Sequence, residues 1–231
     1  NDTRNVNVVV TTSAQHAGLF LSAGGTQLDL ATTTSTFTIE VAGTKGSREF
    51  TFASGTMLSS ITDSINTFKS ITGVSAATIA SGTSNGVMLK SDEFGSNAFV
   101  SVDVINDGGQ AGAIHSLLAT NENSADAGAS TAYNAVTNPI RDAGQDVEAI
   151  INGINATSNG KVATVNTDFL NLTVQLSDTG ATTLATIDAF DITGGGARFN
   201  LGPAVNITNH VTIGIRNIAA RRLGRSEQEG T

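Results

Sequence analysis

The chain of 231 residues has no cysteine and no tryptophan, two prolines, two methionines and a single tyrosine. Without cysteine there can be neither a disulfide framework nor a thiolate metal site, and the redox compartment leaves no mark on the sequence. No apolar run approaches the roughly 20 residues needed to cross a bilayer as a helix. The first residues, NDTRNVNVVV, lack the basic stretch, apolar centre and cleavage site of a secretory signal. Basic residues are also scarce: 12 Lys and Arg against 20 Asp and Glu leave a net charge of −8. Phosphate backbones and anionic lipids are bound through cationic side chains, so neither nucleic acid nor a membrane surface is an expected partner. The local exception is Arg216, Arg221, Arg222 and Arg225 in RNIAARRLGR. No aromatic residues interleave with them, and a solvated or partner-facing segment is the simpler expectation.

The chain is rich in glycine, 25 residues, and in small polar turn formers. Between the turns, β-branched and alternating runs predict strands. VNVVVTT (Val6 to Thr12) and Gly18 to Leu21 open the series. In FTIEVAG, Phe37, Ile39 and Val41 share one face; in REFTFASG, Phe50 and Phe52 do, and Gly43 to Gly46 joins the two as a hairpin. The period then changes. Met57, Leu58, Ile61, Ile65, Phe68 and Ile71 predict one apolar helix face, with Ser59, Asp63, Asn66 and Lys69 turned outward, a cap at Ser54 or Thr56, and Gly73 as the stop. VSAATIA, GVMLKS and NAFVSVDVI follow as strands, giving a β-β-α-β-β-β unit over residues 37–106.

Residues 107–144 are mostly small and polar and predict a long loop or linker around a short ordered piece, Ile114 to Leu118. Strands resume with Val147, Ala149 and Ile151 in alternation, then Val162 to Val165, Leu170 to Leu176 and Ala185 to Ile192. The expected organisation is an incoming pair of strands over 1–36, the unit over 37–106, the loop over 107–144, a second β-rich module over 145–203 and a return segment over 204–231. The fold class is α+β, mainly β, with antiparallel modules joined by long polar loops.

Each chemical motif has a plainer explanation. Gly82-Thr83-Ser84-Asn85-Gly86 spells the G-x-S-x-G of a nucleophile elbow, but an elbow leads from a strand into a helix and this one leads into a strand. Asn85-Gly86 is a favoured hairpin turn, and none of His16, His115 and His210 sits in a motif that marks a base. The run Gly194 to Gly202, GGGARFNLG, completes no phosphate-loop fingerprint. Asp103 to Gly108 lacks the ligand alternation and closing Glu of a calcium loop. Asp146 with Glu148, and Asp188 with Asp191, are acid–base candidates on spacing alone, without the aromatic platforms of a sugar site. No catalytic, cofactor-binding or metal-binding residue is assigned, and no enzyme activity is expected. The sequons at Asn155, Asn171 and Asn206 arise readily from common residues.

Two stretches carry a family likeness. Residues 37–79, with Ile65-Asn66 followed by Thr72-Gly73-Val74-Ser75-Ala76, resemble the flagellin "IN" motif. DVEAIINGINATSNGKVATVNTDFLNLTVQL, and FDITGGGARFNLGPAVNITNHVTIGIRNIAARRLG after it, resemble the end of the variable region of long bacterial flagellins. The sustained heptads of flagellin's terminal coiled-coil helices do not appear. The resemblance implies a central, surface-exposed portion of a flagellin: an extracellular, non-enzymatic filament component whose partners are other flagellin subunits, with loop Ser and Thr as candidate O-glycan acceptors. A flagellar cap or hook-associated protein, which also carries IN units, and a surface adhesin domain are the alternatives.

Overall fold

The computed structural model describes residues 3–81, 84–119, 121–168, 170–193, 196–200 and 210–214. Strand β1 (Thr3–Thr12) is followed by β2 (His16–Ser22), the hairpin β3 (Thr36–Gly43) and β4 (Gly46–Ala53), and helices α1 (Leu58–Thr67) and α2 (Lys69–Thr72). Then come β5 (Val74–Ser81), β6 (Ser84–Phe94), β7 (Phe99–Asn106), β8 (Ala113–Leu118), β9 (Asn121–Ala132) and β10 (Ile140–Ala143). The chain continues through β11 (Glu148–Ile151), β12 (Ile154–Asn155), β13 (Thr157–Asn159), β14 (Val162–Thr167), β15 (Leu170–Gln175), α3 (Asp178–Thr182), β16 (Thr186–Thr193), β17 (Gly196–Asn200) and β18 (His210–Gly214). The fold is mainly β, and every described strand pairing is antiparallel.

The apolar residues divide between two cores. The larger lies between a five-stranded sheet, β5-β6-β2-β8-β9, and a four-stranded one, β10-β7-β3-β4. Phe37, Ile39, Val41, Phe50 and Phe52 all turn into it, as their alternation predicts. Leu19, Leu21, Val87, Leu89 and Ile114 meet them from the opposite sheet. The smaller core joins Val6, Val8 and Val10 of β1 to Val147, Ala149, Ile151, Ala163, Val165 and Leu176. Strands β1 and β2, adjacent in sequence, therefore serve different cores: β1 pairs with β11 and β16, whereas β2 sits between β6 and β8.

Four expectations change. The stretch read as a loop over 107–144 holds β8, β9 and β10, and the buried Tyr133 between them. Strand β9, NENSADAGASTA, shows no apolar alternation because it is an edge strand held through its ladder to β8, so neither face has to bury a side chain. The predicted helix is two pieces broken at Phe68, and Met57 and Ile71, at its extremes, are 61% and 50% exposed. Neither Ser54 nor Thr56 caps it: the N-cap is Met57 with no side-chain bond, and the Thr56 hydroxyl donates back to Ala53 O. Gly73 does end it, at φ 75°, a left-handed conformation that suits glycine. Finally, Asn85 and Gly86 are in β6 and not in a turn; the hairpin register closes at Ser81↔Ser84. Glycine is needed at 86 for space, since a Cβ there would stand 2.3 Å from Leu21 O.

Candidate functional site: a helix clamped to a sheet edge

Strand β5 lies at the end of its sheet, so one side of its backbone faces away from β6. Helix α1 covers that side. Ile61 and Ile65 enter the larger core, Ile65 with no exposed surface. The next residue turns to the strand: Asn66 Nδ2 donates to Ala76 O at 2.9 Å, and Asn66 Oδ1 accepts from Ala76 N at 2.8 Å. The carboxamide supplies the donor and acceptor that a neighbouring strand would otherwise present. One turn earlier, Thr62 Oγ1 and Thr78 Oγ1 are 3.0 Å apart. An exposed edge is a template for unwanted pairing, and this one is occupied by side chains of its own chain. Asn66 is exposed, as its place on the outward face predicts, and is at the same time the polar half of the helix–strand contact. At the far end of the unit, Asp92 receives Lys69 at 3.0 Å and Lys45 at 3.4 Å, drawing together the hairpin turn, α2 and β6. Both lysines are half in solvent, so the pairs register the parts more than they stabilise them.

A second polar cluster joins the two cores. Asp146 Oδ1 accepts from Ser96 N at 3.0 Å and Gly160 N at 2.7 Å, and Asp146 Oδ2 accepts from the Ser96 hydroxyl. Ser96 belongs to the β6–β7 turn of the larger body, Gly160 to the β13–β14 turn of the smaller one. Gly95, at φ 105°, permits this approach: a Cβ on it would lie 2.5 Å from Asp146 Oδ1 and 2.6 Å from Gly160 Cα. Partial burial opposes ionisation of Asp146, but the bonds from the Ser96 hydroxyl, Gly160 N and Ser96 N outweigh it and hold the carboxyl below its ordinary pKa.

Among the described residues the sequence candidates do not assemble into a catalytic constellation. Ser84 opens β6, so a strand and not a helix follows it; Gly82 and Thr83 lie outside the described residues. His16 lies 3.7 Å from the Phe94 ring, centroid to centroid, and His115 contacts Ser22 Oγ and Asp126 O at 3.3 and 3.2 Å. His210 lies in β18. Asp146 and Glu148 are engaged separately, Glu148 by the Thr12 hydroxyl. Asp188 and Asp191 accept from Asn7 and Asn5 across the β1–β16 ladder at 3.1 and 3.0 Å. Asp103 is on β7, and Asn106 Oδ1 accepts from Gly108 N at 3.0 Å, an ordinary turn. Among the described residues no group of three or more His, Asp or Glu could hold a metal. Of the glycine run, Gly196 to Asn200 form β17; the arginine cluster at 216–225 lies outside the described residues. No described helix is long and apolar enough to cross a membrane.

The unit that contains the Asn66 clamp and the Asp92 ion pairs is also the part of the chain that matches a known family. Residues 36–93 match the flagellin hook IN motif. No curated protein matches the chain. Among solved structures it is similar to the D1–D2–D3 domains of the flagellar cap protein FliD from Escherichia coli, at 21% identity and a TM-score of 0.47 over 80% of this chain and 50% of that one. It is similar to the FliD D2–D3 domains from Serratia marcescens at 20% identity and 0.45, covering 83% and 94% of the two chains. FliD (HAP2) from Pseudomonas aeruginosa PAO1 gives 18% and 0.44, covering 77% and 81%. The chain spans half the length of the E. coli chain it matches.

Sequence reasoning found the Ile65-Asn66 pair only through the family likeness, and missed what Asn66 does. The available signal was a carboxamide one position beyond a helical Ile of the apolar face, just ahead of the strand VSAATIA. Asp146 gave no such signal, because its partners are 50 and 14 residues away.

Proposed function

We propose that the chain is a structural, non-enzymatic portion of an extracellular bacterial flagellar subunit, displayed on the filament surface. The observation that carries this is the IN-motif unit, in which Ile65 and Asn66 perform a defined structural task. The β1–β16 pairing agrees with display: Thr3 lies opposite Thr193 and Val9 opposite Thr186, so outgoing and returning strands run side by side and the residues between them form an excursion from one stem. Its partners are other flagellar subunits. Its contribution is geometric, a rigid β-rich body that sets the surface of the assembly and the contacts between neighbours.

Immunogold electron microscopy of the source cells with antibody against this chain tests the proposal. Regular labelling along extracellular filaments is expected. Labelling confined to tips or hook junctions would assign the chain to a cap or hook-associated protein, and labelling of the cell surface without filaments would favour an adhesin. A strain with residues 37–203 deleted is expected to swim with altered filament shape or stiffness; an unchanged filament would remove the mechanical role.

A further inference from the structure

The β8–β9 hairpin folds back across β2 and brings two of its residues to a lysine on β6. Lys90 Nζ lies 2.8 Å from Asn123 Oδ1 and 3.0 Å from Glu122 Oε1. The crossing is possible because the intervening β2 residue opposite Lys90 is Gly18, where a Cβ would stand 2.3 Å from Leu117 Cδ1. Each member is positioned. The Lys90 side chain is only 17% exposed. Glu122 is held at its other oxygen by His16 N–H at 3.2 Å. The Asn123 backbone N–H is fixed by Asn121 Oδ1 at 3.0 Å. An amine within reach of both a carboxamide and a carboxylate brings together the groups required for amide exchange between side chains: nucleophile, acyl carbon and proton carrier.

We propose that Lys90 and Asn123 become joined by an intramolecular isopeptide bond, formed without an enzyme, with Glu122 moving the protons. Glu122 takes a proton from the Lys90 ammonium. The freed Nζ lone pair attacks Asn123 Cγ, an approach that a rotation about the last side-chain torsion opens from the present hydrogen bond to Oδ1. In the tetrahedral adduct the proton on Glu122 passes to Nδ2, and Glu122 accepts a second proton from Nζ. The Cγ–Nδ2 bond breaks, ammonia leaves carrying the proton lysine first gave up, and it takes the second proton from Glu122 to become ammonium. The Nζ–Cγ bond remains, Glu122 is again a carboxylate, and no oxidant, reductant or activated co-reactant is consumed. Holding amine and acyl carbon in contact makes the step unimolecular, which is where such a reaction gains its rate. The product staples β9 to β6 across β2 in a chain that has no cysteine for a disulfide.

Intact-mass spectrometry of the folded chain tests this. The expected mass lies about 17 Da below the sequence mass, the loss of one ammonia. Tryptic digestion is expected to give a branched peptide linking Lys90 to Asn123, with no cleavage after Lys90. Lys90→Arg, which keeps the ion pair to Glu122, and Asn123→Ala are expected at their full sequence masses, and Glu122→Gln at full mass or slowly converting. The converted fraction should grow at a rate independent of protein concentration. A folded chain that keeps its full mass on prolonged incubation overturns the proposal. So does a mass loss that persists in Lys90→Arg, which would mark succinimide formation at an Asn-Gly pair.

Discussion

Asn66 and Ala76 are joined by two antiparallel hydrogen bonds, side chain to backbone, at 2.9 and 2.8 Å. A helix side chain thus stands in for a β-strand at the end of a five-stranded sheet. Asn66→Ala returns the Ala76 N–H and C=O to water at an open edge. The expected cost is about 1–2 kcal/mol for two neutral hydrogen bonds, read as a lower midpoint of urea unfolding. Asn66→Asp keeps the acceptor and loses the donor, and is expected to recover part of the loss when acid protonates the new carboxyl. Equal stability of Asn66→Ala and the parent would show that water replaces the clamp without penalty.

Ile65, beside it, carries the apolar half of the contact and has no exposed surface. Ile65→Ala is expected to cost about 2–5 kcal/mol and Ile65→Val about 0.5–1.5 kcal/mol, by loss of transfer free energy and by the cavity left behind. Thermal and urea unfolding of the two variants check the ratio as well as the size. A small cost for Ile65→Ala would mean that α1 collapses onto the gap.

What could be read from the sequence follows from what each residue answers to. Phe37, Ile39 and Val41, and Ile61 and Ile65, were legible because burial imposes periods of two and 3.6 residues on them. Strand β9 was not, because an edge strand held by its backbone ladder leaves no such period in its side chains. Nor was the division of β1 from β2: both are β-branched or apolar, and nothing local says that Val8 packs with Ile151 while Leu19 packs with Leu89.

Asp146 ties the turn at Ser96 to the turn at Gly160, one in each body. A carboxylate whose folded pKa lies below its unfolded value stabilises the fold above the ordinary carboxylate range, and that contribution is lost as pH falls through the folded pKa. Asp146→Ala is therefore expected to unfold more readily at neutral pH and to lose less on acidification than the parent. Urea midpoints measured from about pH 7 to pH 2 check both signs. An acid-side slope that is the same in variant and parent would place the titration elsewhere.

The single tyrosine offers a spectroscopic test of the larger core. Tyr133 is buried, packs edge-on against Phe37 at 5.0 Å, and donates its hydroxyl to Ser22 O at 2.8 Å. Burial disfavours the phenolate and pushes its pKa well above the usual phenol value. A group whose folded pKa is raised stabilises the fold below the unfolded pKa, near 10, and that contribution fades as pH rises beyond it. With no tryptophan and no second tyrosine, all tyrosinate absorbance reports on this residue. In an alkaline titration the absorbance is expected to stay flat past about pH 10 and then rise together with loss of the far-ultraviolet β signal. Tyr133→Phe removes the ionisable group and one hydrogen bond, so it should be less stable at neutral pH by about 1 kcal/mol yet hold its structure to higher pH than the parent. A gradual tyrosinate rise centred near 10, with the β signal intact, would show the ring open to solvent and the β8–β10 segment loose on the core.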